Sequence, residues 1–313
     1  MVAGTRTERL PESAFQLSFL LQLVDVCTDL RNLACCYGKV GDGFRSRLFN
    51  GYCEGIMVTR RIGKHTVEFY DTIDALPVVR FHKFQKMLLV DAGIGADMSA
   101  FDTRIEKTRR YLMTGDTKNA SLELENLRQC VFMIQNQMQP KHLAFAALVT
   151  KIDGKEIPFT DAGQEEVLKV LAEGTVEEVA DGLSSAKKKI DEELNLYFPT
   201  LFNQSDVKEY YDILKRRTLL ALQKIVAGEP IDGDDIEDLT TKLICYAHPK
   251  VFSGSEGVEI QYDRQFENLC LALSAQLNIK PKKCSVLEFY NAFDYLAQQN
   301  KREKRDRAAK SGR

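Results

Sequence analysis

A chain of 313 residues, 44% hydrophobic and 28% charged, is long enough for one large or two ordinary domains with a real core. Its net charge of −2 excludes a molecule that attracts nucleic acid or membrane with its whole surface, so any such partner has to meet a local patch. Eight cysteines with no CxxC pair, set mostly among Leu, Val and Phe, argue against a disulfide scaffold and fit a reducing compartment.

The N-terminal "MVAGTRTERLPE" lacks the apolar core of a signal peptide, and the apolar run from Phe15 to Cys27 is too short and too polar to span a bilayer. A soluble protein made in a cytoplasm is the expectation. Phe19, Leu23, Val26, Leu30 and Leu33 step by four and three and draw one helical stripe. From Gly55 to Ile73, two β-rich runs flank Gly63-Lys64, a hairpin signal. A lone hairpin is marginal in water, so it must pack on helices or pair with another chain's strand.

Pro77 then opens a helix with Val78, Phe81, Phe84 or Gln85, Leu88 and Ala92 on one face. Within it begins "KMLLVDAGIGAD", Lys86 to Asp97, where an apolar run, an Asp and Gly93-Ile94-Gly95 suggest a phosphate-cradling loop. A dinucleotide fingerprint needs a third glycine where Met98 stands, and a P-loop needs a Gly-Lys-Ser/Thr that does not follow. The better reading makes Gly93 the left-handed stop of the helix and Asp97 or Ser99 the cap of the next.

Phe101, Ile105, Thr108 and Leu112 mark the next stripe. Ala120, Leu124, Leu127, Val131, Ile134 and Met138 follow at four-three spacing across the short link "TGDTKN". These two helices read as an antiparallel hairpin packed within the molecule rather than as a partner-binding zipper. Asp161 with Gln164 has capping-box spacing, and Val176, Val179, Leu183, Ala186 and Ile190 form a further stripe. Ser205 is a candidate cap for the helix holding Tyr211, Leu214 and Ile225, and Lys250 to Tyr262 reads as an extended loop. Phe266, Leu269, Leu273 and Leu277 precede Pro281, after which Ser285 and Glu288 open a last helix with Val286, Phe289, Phe293 and Leu296.

The fold class expected is mainly α, a multi-helix bundle built from helical hairpins with a small β-hairpin element. Residues 1–50 form an N-terminal arm and helix, 51–154 the β-hairpin plus helical-hairpin body, 155–284 a second helical region, and 285–313 a C-terminal helix with a basic tail.

Chemistry is sparse. The acidic run Asp232 to Asp238 places its glycine second rather than sixth, which fails the EF-hand pattern, and carboxylates at a helix start are favourable without a metal. Cys245 and His248 in "CYAHP" would share a helix face and supply two zinc ligands, but four are needed, and His142 or Cys284 would have to come from afar. A pocket near Cys245 and His248 is the place to look for an unrecognised activity. No nucleophile elbow or family signature supports one, so the chain is read as non-enzymatic, with no catalytic residue, cofactor or metal.

The C-terminal segment carries Lys301, Arg302, Lys304, Arg305, Arg307, Lys310 and Arg313 against Glu303 and Asp306, a local +5. It is a candidate contact for an anionic partner, which gives the alternative reading of a nucleic-acid-associated, genome-contacting protein. It lacks interleaved aromatics for base stacking, and a solvated helix end explains it more simply.

The segments "YDTID-LP" (Tyr70 to Pro77), "LLVDAGIG" and "HLAFAALV-xIDG" (His142 to Gly154) resemble structural proteins of tailed phages, in particular the crAss-like group of gut phages. The resemblance implies a virion component, a head–tail connector or tail-ring subunit. Its partners would be further copies of itself and neighbours such as portal or tail subunits, with no membrane. It brings no binding residues with it.

Overall fold

A computed structural model describes residues 57–311, apart from 203–204, 229 and 232. The Phe19–Leu33 stripe lies outside the described residues. Among the described residues the architecture is mainly α, with eleven helices and a small four-stranded antiparallel sheet. The described residues divide into two compact units: unit 1 comprises 89–138 and 204–258, and unit 2 comprises 57–88, 139–203 and 259–311.

Unit 2 holds the sheet. Strands β1 (Val58–Ile62) and β2 (His65–Phe69) form the expected hairpin, and Gly63, at φ +56, takes the first central position of its two-residue turn. The hairpin finds its partner in the same chain: β2 pairs with β3 (Val149–Ile152), and β3 with β4 (Lys155–Glu156) across Asp153-Gly154. Both turn residues have positive φ, 50° and 78°, as a type I′ turn demands. Asp153 also ties the two hairpins together. Its carboxylate meets His65 Nδ1 at 2.6 Å and accepts from the Thr66 N–H at 2.8 Å.

Helix α1 (Val78–Gly93) begins in unit 2, where Val78, Phe81, Phe84 and Leu88 are buried along one face. Helices α4 (Pro140–Leu148), α5 (Asp161–Glu173), α6 (Val176–Tyr197) and α7 (Pro199–Phe202) complete the middle of the unit, and α10 (Val258–Leu277) and α11 (Val286–Ser311) its end. Phe145 of α4 meets Phe69 of β2 edge-on at 4.9 Å. Phe81, Phe202 and Phe289 pack around Tyr290 with ring centres 5.2–6.2 Å away.

Arg80 is buried in this unit, yet it is satisfied. It donates to the carbonyls of Ala147 and Val149 at 3.2 and 2.7 Å, where the C-terminal end of α4 favours a cation, and stacks 4.6 Å from the Phe159 ring. The start of α11 is a true capping box: Ser285 N–H donates to Glu288, and Glu288 N–H to Ser285 Oγ. Val78 N–H and Val286 N–H donate to Cys284 and Leu76, which joins the starts of α1 and α11.

Unit 1 holds α2 (Met98–Met113) and α3 (Thr117–Gln135), the expected hairpin, with Asp97 and Asp116 as their N-caps. It also holds α8 (Ser205–Ala227) and α9 (Asp234–Ile244). The faces of the hairpin differ from expectation. Thr108 and Ala120 are buried as expected, but Ile105, Leu112 and Leu124 are exposed while Arg104, Arg110, Glu123 and Asn126 are buried, with Arg104 and Glu123 paired between the two helices.

Other expectations also shift. Gly93 is the last residue of α1, and the left-handed position belongs to Gly95 at φ +75. Thr160, not Asp161, caps α5, leaving Gln164 to bond Ala146. Thr175 with Glu178 forms a capping box on α6, while Val176 is exposed. The extended loop ends at Gly257, since Val258 to Tyr262 already belong to α10. The side chain of Ser205 lies outside the described residues.

Candidate interaction surface

Helix α8 forms because its sequence from Tyr211 to Ala227 is dense in Leu, Lys, Arg, Ala and Gln and free of Gly and Pro. It stops at Gly228, which adopts φ +70 while its N–H donates to the Ile225 carbonyl. Helix α9 starts with Asp234, Asp235 and Glu237 in its first turn, where carboxylates oppose the positive end of the helix dipole. It is anchored by buried Ile236 and Leu239 and by Arg110 of α2, which pairs with Glu237 and donates to Thr241 at 3.0 Å. Arg217 of α8 donates to Thr240 of α9 at 2.9 Å.

That packing uses only one side of α8. From Glu209 to Ala227 no residue of the helix is buried. Tyr211, Leu219, Leu222 and Val226 follow one face at helical spacing, with Ile225 beside them, and Val226 is 87% exposed. The stripe borders a groove of about 510 Å³ between α8 and α9. Its polar wall carries Asp212, Asp235 and Asp238 against Lys215, Arg216 and Lys242, so its formal charge is balanced.

The residues singled out by sequence fall as follows. Gly93 stands at the end of α1 because a Cβ there would sit 1.9 Å from the Phe252 ring, so its role is close packing. Cys245 is the residue after α9, so it and His248 do not share a helix face as expected. The Cys245 carbonyl accepts from Tyr111 Oη at 3.3 Å, burial pushes its thiol up, and His248 Nδ1 lies 3.5 Å from Asn119 Nδ2. His142 and Cys284 belong to unit 2. Asp232 lies outside the described residues, and the acids after it open α9. Among the described residues, no three His, Cys, Asp or Glu side chains gather closely enough to hold a metal ion, and no described helix is long and apolar enough to cross a membrane.

The basic segment is helical as far as Ser311, with Lys301, Arg302 and Arg305 exposed. The side chains of Lys304, Arg307 and Lys310, and all of Arg313, lie outside the described residues. Sequence reasoning passed over Arg104, Lys107, Glu123 and Lys250, which gather in unit 1. Periodicity counts apolar positions and is blind to a charged one turned inward. Comparison with protein-family models, with curated proteins and with solved structures finds no match to this chain.

Proposed function

We propose that the chain is a non-enzymatic assembly subunit that docks onto further copies of itself through the uncovered face of α8. The observation that carries this reading is that face: a long amphipathic helix with its apolar stripe in solvent marks a surface awaiting a partner. The groove beside it selects the kind of partner. Three acids and three bases let the acidic side chains of one copy meet the basic ones of another, whereas a nucleic acid would call for a surplus of cations.

The setting we infer is a tailed-phage virion, with the chain as a head–tail connector or tail-ring subunit assembled in the host cytoplasm. Its support is the resemblance of Tyr70 to Pro77, "LLVDAGIG" and His142 to Gly154. A ring follows if the contact is head-to-tail and its rotation closes. The native mass of the full chain tests the reading: one closed multiple of 35.5 kDa, seen as a ring by electron microscopy, is expected. A monomer at every concentration overturns it.

Exposed Lys301, Arg302 and Arg305 keep a second reading open to test, that of a genome-contacting protein. It predicts salt-dependent DNA binding that is lost on truncation after Gln299, and salt-insensitive or absent binding removes it.

A further inference from the structure

Helices α2 and α3 leave a second apolar face of unit 1 in solvent. Met98, Ile105 and Leu112 repeat every seven residues along α2 and are 62, 45 and 57% exposed. On α3, Leu124 is 48% exposed, and Leu127 and Val131, which follow it at helical spacing, are half-buried. Arg104 Nη1 donates to both Glu123 oxygens at 3.3 and 3.2 Å, which fixes the sides on which the two helices meet.

The two exposed stripes share one side of the hairpin. Each helix turns by about 100° per residue, and α2 and α3 run in opposite directions. The residue after Arg104 and the residue after Glu123 therefore swing to the same side, which sets Ile105 beside Leu124. Met98 to Leu112 covers about 21 Å of helix axis. A seven-residue apolar repeat is the spacing with which helices pack along one another in a coiled coil, and here the seam lacks its third helix.

The same chain carries a segment of matching pattern. Phe19, Val26 and Leu33 repeat the seven-residue spacing with Leu23 and Leu30 between them, and as a helix Phe19 to Leu33 would cover the same length of about 21 Å. Asp25 and Asp29 fall together on one flank of that stripe. On the hairpin, exposed Arg109 and Arg128 stand one turn on from Ile105 and Leu124, each in a surface pair with Glu106 or Glu125 of its own helix. Cations thus edge the face and acids edge the segment, whereas the groove beside the α8 stripe is balanced in charge. Residues 34–56 join the segment to Met57 and can span roughly 75 Å when extended, more than twice the width of a small domain. A tethered segment competes for a face of its own chain at an effective concentration on the order of millimolar, which a second copy in solution does not reach.

We propose that residues 15–33 dock as a helix on the Ile105–Leu124 side of the α2–α3 hairpin of their own chain, as the third helix of that seam. The seam closes one apolar face of unit 1 from within and leaves the α8 face for another copy.

The experiment is photo-crosslinking of the full chain with benzoyl-phenylalanine in place of Ile105 and, separately, in place of Leu124. Digestion and mass spectrometry locate the captured residues. A denaturing gel tells a bond within one chain, which keeps the mass of 35.5 kDa, from a bond between copies, which doubles it. Both probes are expected to capture residues 15–33 within the same chain. Leu23→Asp/Leu30→Asp should cut that yield at least tenfold, while circular dichroism and thermal melting check that the body of the chain stays folded. A control probe in place of Leu222 on α8 should not capture the segment. The proposal is overturned if neither hairpin probe captures residues 15–33, or captures them only in another copy. Capture from Leu222 in preference to the hairpin, or a yield that the two substitutions leave unchanged, overturns it equally.

Discussion

The two units spend their apolar residues in opposite ways. All eleven of the largest fully buried side chains, among them Phe69, Phe84, Phe145 and Phe289, belong to unit 2. Of the nineteen large hydrophobic side chains found exposed among the described residues, fourteen belong to unit 1. Unit 1 instead buries Arg104, Arg110 and Glu123 and leaves the α8 stripe in water. Unit 2 therefore draws its stability from its own core, whereas unit 1 carries features that folding alone does not explain: an uncovered helix face and, in Lys250, a half-buried lysine whose ammonium has no hydrogen bond or ion pair among the described residues. Departures of this kind from a self-sufficient core are what a surface with a partner to meet looks like.

The largest expected effects test whether each unit is held as described. Phe289→Ala should lower stability by about 3–5 kcal/mol, through lost burial and an unfilled cavity beside Phe266 and Tyr290. Urea unfolding measures it, and a loss under about 1 kcal/mol would remove the apolar-core account of unit 2. Glu123→Ala should cost about 3–5 kcal/mol in unit 1, since it strands the Arg104 guanidinium in a buried site. A near-neutral result would mean that unit 1 is not organised around that pair.

A change in the opposite direction sharpens the contrast. Lys250→Met should stabilise the chain by roughly 1–3 kcal/mol at pH 7, because it removes a desolvated charge with no partner. The folded amine titrates at about 8 and the unfolded one at its ordinary 10.5. Below 8 the full penalty is present. Between 8 and 10.5 the unfolded state binds more protons, so wild-type stability rises with pH and the gap to the variant closes. Melting curves across that window decide it, and a gap that does not change with pH counts against a buried, unpaired Lys250. Smaller again, Ser285→Ala should cost about 1 kcal/mol by removing the cap of α11, read in the same assay.

Much of the fold is legible where local chemistry decides it. Gly63-Lys64 announces a tight turn, Ser285 and Glu288 announce a helix start, and the short Gly- and Asp-bearing link after Met113 announces a helical hairpin. The second hairpin was also written locally, in Asp153-Gly154, but the apolar run before it masks strand β3. What stays hidden is facing. On α2 and α3 the buried positions include Arg104, Glu123 and Asn126 beside the expected Thr108 and Ala120, so counting apolar residues sets the buried face of both helices only in part.

The candidate surface is hidden for the same reason. Tyr211, Leu219, Leu222 and Val226 look alike in sequence whether covered or bare, and only the packing of α9 against one flank shows which side is left over. Lys250 carries no local signal at all, because a lysine without a partner is defined by what lies around it in space.

Sedimentation velocity of the wild type beside Leu219→Asp/Leu222→Asp is the most direct test of the α8 face as a self-docking surface. Both positions are exposed, so the fold of each chain should change by no more than about 0.5 kcal/mol per site. The account predicts a defined oligomer for the wild type and a folded monomer for the variant. A wild-type monomer, or an oligomer that the two substitutions leave intact, would contradict it.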